Sequence, residues 1–129
     1  VSTRMAREVM PHEIPVRDAV RQWGNVGGLV AGLYSGNIDL IGRAMKDVVA
    51  EPYRKQFIPG FDELREKLLA AGSLAMNIAG SGPSVFALAD RFEVAHKADD
   101  IMTAHFDALG IGYEHYVVKV SNKGAKLIA

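Results

Sequence analysis

Two short apolar runs, Leu74–Ala79 and Val85–Ala89, are joined by Gly80-Ser81-Gly82-Pro83-Ser84. So tight a joint leaves two buried-looking strands little choice but to fold back on each other. Glycine reaches positive φ without a Cβ penalty and lets another backbone or a ligand come close. The pentapeptide therefore brings bare backbone, a hydroxyl and a rigid ring to one point. By itself this reads as an ordinary hairpin. Any further role depends on what the rest of the chain brings beside it.

Before the hairpin the pattern is helical. Ser2 or Thr3 can cap a first helix over residues 2–10, which Pro11 stops, and Pro15 suits the first turn of the next. Val16, Ala19, Val20, Trp23, Val26, Val30 and Leu33 then fall on one helical face, which predicts that this face is buried. Gly24, Gly27, Gly28 and Gly32 interrupt that helix at about 1 kcal/mol each relative to Ala, which predicts another element packed very closely against it. Ser35-Gly36-Asn37 ends it. A third helix is predicted from Asp39 to Val49, with Glu51-Pro52-Tyr53-Arg54 as a break between helices. Phe61, Leu64, Leu68 and Leu69 define a helix closed by Gly72. After the hairpin, Phe92–Leu109 is helical up to Gly110, and Tyr113–Val120 alternates as a final strand. Trp23 and the methionines fall on core faces.

A helix, a hairpin, a helix and a strand make most of a split βαβ (ferredoxin-like) unit whose leading strand lies outside this sequence. The fold class is α+β, with helices packed on one face of a small antiparallel sheet. At 129 residues, 49% hydrophobic, the chain suits one domain with a real core. Fifteen basic residues balance fifteen acidic ones, so no global field favours nucleic acid or anionic lipid. Lys119, Lys123 and Lys126 read as a solvated tail. No apolar run approaches the ~18 residues of a membrane span, and no signal peptide opens the chain. The absence of cysteine excludes disulfide and thiolate chemistry and is compatible with a reducing cytoplasm. The start at Val1, without Met, reads as a piece of something longer.

Few residues suggest chemistry directly. His12, His96, His105 and His115 lack metal-ligand spacing, and no metal site is expected. The acidic residues show no pairing suited to acid–base work, Asp99-Asp100 reads as a solvated helix face, and nothing sharpens Ser81 into a nucleophile. Two arginines differ from the rest. Arg7 lies one turn beyond Thr3 on the same helix face, so hydroxyl and guanidinium can reach one ligand. Arg54 follows the Glu-Pro-Tyr break, where side chains often turn into a cleft. A guanidinium fork suits carboxylate or phosphate, although aliphatic stems lying on neighbours would explain surface arginines as well.

Taken together, Ser2-Thr3-Arg4-Met5-Ala6-Arg7-Glu8-Val9-Met10-Pro11, Met45-Lys46-Asp47, Glu51-Pro52-Tyr53-Arg54, Pro59-Gly60-Phe61 and the run Gly80–Asp90 resemble the homoserine kinases. These belong to the galactokinase, homoserine kinase, mevalonate kinase and phosphomevalonate kinase superfamily. The glycine loop is shared across that superfamily, whereas the opening and Glu-Pro-Tyr-Arg are narrower. The resemblance spans residues 1–129 and matches the C-terminal domain only. The family's Pro-x-x-x-Gly-Leu-Gly-Ser-Ser nucleotide loop is not in this sequence, nor are the carboxylates it places near the substrate hydroxyl and magnesium.

The resemblance implies an ATP-dependent kinase that phosphorylates the L-homoserine hydroxyl in threonine biosynthesis, with ATP and Mg used by the intact enzyme. It assigns Thr3, Arg7 and Arg54 to substrate binding, the arginines taking the carboxylate. It places Gly80, Ser81, Gly82, Pro83 and Ser84 beside the active site, with Ala79 standing where Ser is usual. No catalytic residue is expected within these 129 positions, and no cofactor is expected to bind them alone. The implied partners are L-homoserine, ATP, the N-terminal domain and a second copy of the chain, since homoserine kinases resemble dimer formers and the glycine-rich helix could pack in-chain or across an interface. The alternatives are another small-molecule kinase of the superfamily, mevalonate-type, or a stand-alone module that binds an amino acid without catalysis.

Overall fold

The structure, a computed structural model, describes residues 2–125 and Leu127. Six α-helices and two strands follow in the order α1 Thr3–Glu8, α2 Val16–Ser35, α3 Ile38–Ala44, α4 Glu51–Arg54, α5 Phe61–Ala70, β1 Ala75–Ile78, β2 Val85–Leu88 and α6 Phe92–Ala108. A 3-10 turn, Lys55–Phe57, extends α4. Ser2 caps α1 by accepting the Met5 N–H at 3.2 Å, and Asn37 caps α3 by accepting the Leu40 N–H at 3.0 Å. These caps satisfy backbone donors that a helix start leaves free. Gly36, at φ 68°, closes α2 in the left-handed conformation that glycine adopts most readily.

The strands form the expected antiparallel hairpin, with Ala75 opposite Leu88 and Ile78 opposite Val85. Helices α5 and α6 cover one face. Phe61, Leu64 and Leu68 from α5 meet Met76 from β1 and Ala98 from α6, with Ile58 beside them, in one buried cluster. The α+β class with helices on an antiparallel sheet is therefore as the sequence predicts. Among the described residues, no helix is long and apolar enough to cross a membrane.

Several expectations need correction. Residues 113–120 are extended but unpaired, so the sheet has two strands among the described residues. Alternation fixes which side chains share a face, not whether a neighbouring edge is in reach. The segment instead runs back along α6. Tyr113 packs on Phe106 at 5.8 Å, His115 meets Asp99 at 2.6 Å, and Lys119 lies 5.2 Å over Phe92. Asp99 is thus paired rather than merely solvated. Tyr113 also donates to Asp107 at 2.9 Å; desolvation first, and then this bond, raise the phenol's pKa above its ordinary value. A cavity of ≈ 610 Å³ separates the segment from β2, lined by Val85, Ala87, Met102 and Val117 among others. Lys126 of the predicted tail lies outside the described residues.

The third helix stops at Ala44 rather than Val49, and Glu51–Arg54 forms α4 rather than a break. Proline at the second position of α4 suits a helix start, where its missing N–H costs nothing. The predicted inner face of α2 is in fact outward. Trp23 is 69% exposed, and Val16, Val20, Val26, Val30 and Leu33 are exposed with it. The opposite face packs on α3, where a Cβ at Gly32 would lie 2.9 Å from Ile41 Cγ1 and one at Gly28 3.3 Å from Ala44 Cβ. Those two glycines admit α3 at close range; a Cβ at Gly24 or Gly27 would meet nothing within 4 Å. Met5 is likewise exposed, whereas Met76 is buried.

Candidate functional site

Arg54 is the joint of the site. From the end of α4 its Nε donates to the Ala6 carbonyl at 3.3 Å, and its Nη1 donates to the Gly80 carbonyl at 3.1 Å. One half-buried guanidinium thereby ties α1, α4 and the glycine loop together, linking segments 48 and 26 residues away in sequence. Thr3 and Arg7 stand exposed on α1, and Arg7 directly follows the tethered Ala6. Among the described residues neither Arg7 nor Arg54 is paired with a carboxylate, whereas Arg4, Arg17, Arg65 and Arg91 are. Arg21 and Arg43 likewise have no carboxylate partner among the described residues, so what distinguishes Arg54 is its tether to two backbone carbonyls. The structure thus connects the segments carrying Thr3, Arg7, Arg54 and Gly80 through the Arg54 side chain.

The position of α4 follows from the loop before it. Asp47 Oδ1 accepts the Val49 and Ala50 N–H groups at 2.8 and 2.9 Å, and Oδ2 accepts the Glu51 N–H at 3.2 Å. One carboxylate thus satisfies three backbone donors, the favoured use of Asp before a helix. From α2, Gln22 Oε1 accepts the Val48 N–H at 2.9 Å, and Asn25 Nδ2 donates to the Lys46 carbonyl at 2.8 Å. Below α4, buried Glu51 takes both arms of Arg65, with Nη1 donating to Oε1 at 2.7 Å and Nη2 to Oε2. Arg65 Nη2 also donates to the Met76 carbonyl at 3.0 Å, and its guanidinium stacks 4.6 Å from the Phe61 ring centre.

The glycine loop uses its glycines for shape. Gly80 and Gly82 lie at φ 59° and 77°, left-handed values that cost a non-glycine residue roughly 1–2 kcal/mol. The Ala79 N–H donates to the Ser84 carbonyl at 2.8 Å and the Gly82 N–H to the Ala79 carbonyl at 3.1 Å. A Cβ at Gly82 would sit 3.2 Å from Ile78 Cγ2, whereas Gly80 faces open space. Ser81 keeps its hydroxyl within the loop, 3.4 Å from the Gly82 carbonyl, and Ser84 is exposed. Gly82→Val, made in the complete protein, is expected to cost about 1–3 kcal/mol of stability through strain and overpacking. The displaced loop should lower turnover by a larger factor than the stability loss predicts. Urea titration beside steady-state kinetics checks both.

Sequence reasoning missed four contributors: Asp47, Glu51, Arg65 and Asn77. The first two stand inside the quoted motifs, but their work is to hold backbone and to pair, which no spacing advertises. Arg65 sits beside Leu64 on an amphipathic helix and reads as surface. Asn77 Oδ1 is buried without a partner, on the wall of a cavity of ≈ 30 Å³ shared with Asp47, Glu51, Arg54 and Gly80. That is room enough for an ordered water, which needs about 10–15 Å³ of such space. Among the described residues, no three His, Asp or Glu side chains group so as to hold a metal ion.

Comparison with known proteins places this geometry. Residues 29–108 match the family described as GHMP kinases C terminal. The homoserine kinase of Chlorobium phaeovibrioides is 47% identical over 128 residues, covering 98% of this chain and 40% of that protein. That of Pyrococcus abyssi is 38% identical over 126 residues, covering 98% and 42%. The crystal structure of homoserine kinase from Cytophaga hutchinsonii superposes with a TM-score of 0.84 at 50% identity, covering 87% of this chain and 36% of that one. The chain spans about 40% of the length of the curated relatives it matches.

Proposed function

Because the chain belongs to the GHMP kinases through their C-terminal domain, we propose that it is the C-terminal part of an ATP-dependent homoserine kinase. The complete enzyme would move the γ-phosphoryl of ATP to the side-chain hydroxyl of L-homoserine, the hydroxyl proton leaving as the new O–P bond forms, to give O-phosphohomoserine and ADP for threonine synthesis. The observation that carries this reading is the Arg54 tether, which sets a carboxylate-free guanidinium between α1 and the glycine loop. Relatives named homoserine kinase at 38–47% identity support the choice of substrate.

In this reading Arg54 and Arg7 take the homoserine carboxylate, and the Thr3 hydroxyl helps to orient the same molecule. The loop Gly80–Ser84 shapes the floor of the cleft. In this reading ATP and Mg²⁺ are held by a preceding nucleotide-loop domain of the polypeptide. That domain is a further partner of the chain. Phosphoryl transfer rests on positioning and on charge neutralisation around the phosphates, and this chain supplies the acceptor side of that arrangement. A reducing cytoplasm, compatible with the lack of cysteine, belongs to the same proposal.

Homoserine-dependent release of ADP tests it. The 129 residues alone are expected to show no turnover, since they hold no nucleotide loop. The complete polypeptide is expected to phosphorylate L-homoserine well above mevalonate. Turnover by the isolated chain would refute the division of labour, and preference for mevalonate would refute the substrate. Homoserine binding by a complete polypeptide with no ADP release would favour a non-catalytic binding module.

A further inference from the structure

Strand β1 turns successive side chains to opposite faces of the hairpin. Met76 lies in the core cluster with α5 and α6, and Ile78 packs against that cluster. Asn77 therefore belongs to the other face, toward α4, whose Glu51 and Arg54 line the ≈ 30 Å³ cavity with it. Asp47 and Gly80 complete the polar part of that wall. Asn77 Oδ1 is buried there and accepts no hydrogen bond from the protein. Leaving a buried acceptor in that state is costly, so a polar side chain persists at such a place where something donates to it.

We propose that Asn77 is a positioning residue for Arg54, acting through one ordered water held in this cavity. It rests on the reading that Arg54 takes the substrate carboxylate. A buried water needs about two to four polar partners, and the wall supplies them. Asn77 Oδ1 accepts one of its hydrogens. The Gly80 carbonyl has two lone pairs, one of which takes Arg54 Nη1, and Asp47 Oδ2 accepts the Glu51 N–H alone. Either can accept the other hydrogen. A guanidinium has five N–H groups, and Arg54 spends two of them on Ala6 and Gly80. One more donates to the water oxygen, which leaves others for a carboxylate. The guanidinium charge on the same wall favours a neutral water over a cation.

The link matters because of what already holds Arg54. Its two protein bonds run to backbone carbonyls of α1 and of the glycine loop, and neither ties the guanidinium to a side chain of the sheet. The water adds a support from β1, next to the most deeply buried part of the core. A planar fork held at three points presents its remaining edge in one orientation. Preorganisation of this kind is expressed as affinity. Asn77 accordingly governs how tightly the carboxylate is held, not the rate of phosphoryl transfer once it is bound.

The complete polypeptide tests this with Asn77→Leu, similar in volume but without an acceptor, and Asn77→Ser, which returns a hydroxyl to the cavity. A high-resolution crystal structure of the unaltered protein should show a water within hydrogen-bond distance of Asn77 Oδ1 and the Arg54 guanidinium, and Asn77→Leu should lose it. The homoserine KM should rise about 5- to 10-fold in Asn77→Leu with kcat within about two-fold, and Asn77→Ser should recover part of that loss. In an Arg54→Ala background, Asn77→Leu should change KM by less than about two-fold, because it acts only through the guanidinium. Urea unfolding without ligand should show the same two substitutions to be coupled. Should Asn77→Leu not fold, Asn77→Ser takes its place with an expected KM rise of about 2- to 3-fold. A dry cavity overturns the proposal, as does an Asn77 amide nitrogen turned inward to donate directly to Gly80. So do an equal KM rise with and without Arg54, and additive effects on stability. If the water and the stability coupling are found but homoserine saturation ignores both residues, the link to Arg54 stands and the carboxylate assignment fails.

Discussion

Arg54→Ala in the complete enzyme is expected to raise the KM for homoserine by about 30- to 700-fold, with the ATP KM nearly unchanged. The estimate corresponds to about 2–4 kcal/mol for losing a charge-assisted, bidentate contact from a binding pocket. Arg54→Lys should fare little better. A lysine ammonium can reach one acceptor, but it cannot hold the Ala6 and Gly80 carbonyls and a ligand with one planar fork. The tether also makes a second effect measurable. Either substitution releases α1 from the glycine loop, so stability should drop by about 1–2 kcal/mol through two lost hydrogen bonds to a charged group. Arg4→Ala is the control, because that side chain is largely exposed and pairs only with Glu8; an exposed pair of this kind is worth about 0.3–0.5 kcal/mol. Unchanged homoserine saturation in Arg54→Ala, or a weakened ATP KM instead, would show that the carboxylate assignment is wrong.

The second large effect lies beneath the site. Glu51→Ala should destabilise the fold by about 3 kcal/mol, because it strands the Arg65 guanidinium in a half-buried position with one carbonyl partner left. Arg65→Ala should cost a similar amount by leaving a buried carboxylate. Replacing both at once by apolar side chains, Glu51→Leu with Arg65→Met, should cost much less than the sum, since neither charge is then left alone. Urea unfolding of the four proteins measures the coupling. Single substitutions that shift stability by less than 1 kcal/mol would mean that the pair is no more than a surface contact. The kinetic consequence separates this pair from Arg54. Stabilised by ligand, the Glu51 variants should retain homoserine affinity to the extent that they are folded, whereas Arg54 variants should not.

What could be read from sequence divides along a physical line. The hairpin, α5 and α6 were legible because their apolar residues face a core made by this chain, so periodicity and burial coincide. Caps and stops were legible at Ser2, Gly36 and Gly110, where local backbone chemistry decides. Periodicity misled at α2, where Val16, Val20, Trp23 and Val30 form a regular stripe that this chain leaves uncovered. An apolar face shows that something covers it, not where the cover comes from. The same limit undid Tyr113–Val120, whose alternation is real and faces α6, yet whose edge meets no strand among the described residues. At the site, Arg54 stood out by its motif, but its partners Ala6 and Gly80 are backbone carbonyls that any residue would offer. Asn77 had no signal at all, since a strand residue with an unpartnered carbonyl looks like every other polar strand residue.

The loop between α3 and α4 owes its order to side chains rather than to a backbone ladder. Asp47, Gln22 and Asn25 between them take up its amides and one carbonyl. A segment held in this way cannot fray by itself, because opening it strands polar groups on α2 as well as its own. Helix α2, the loop and α4 are accordingly expected to open together in local unfolding. Arg54, at the far end of that unit, inherits its rigidity. Even though α4 is only four residues long, the guanidinium is presented as firmly as if it projected from the twenty-residue helix behind it.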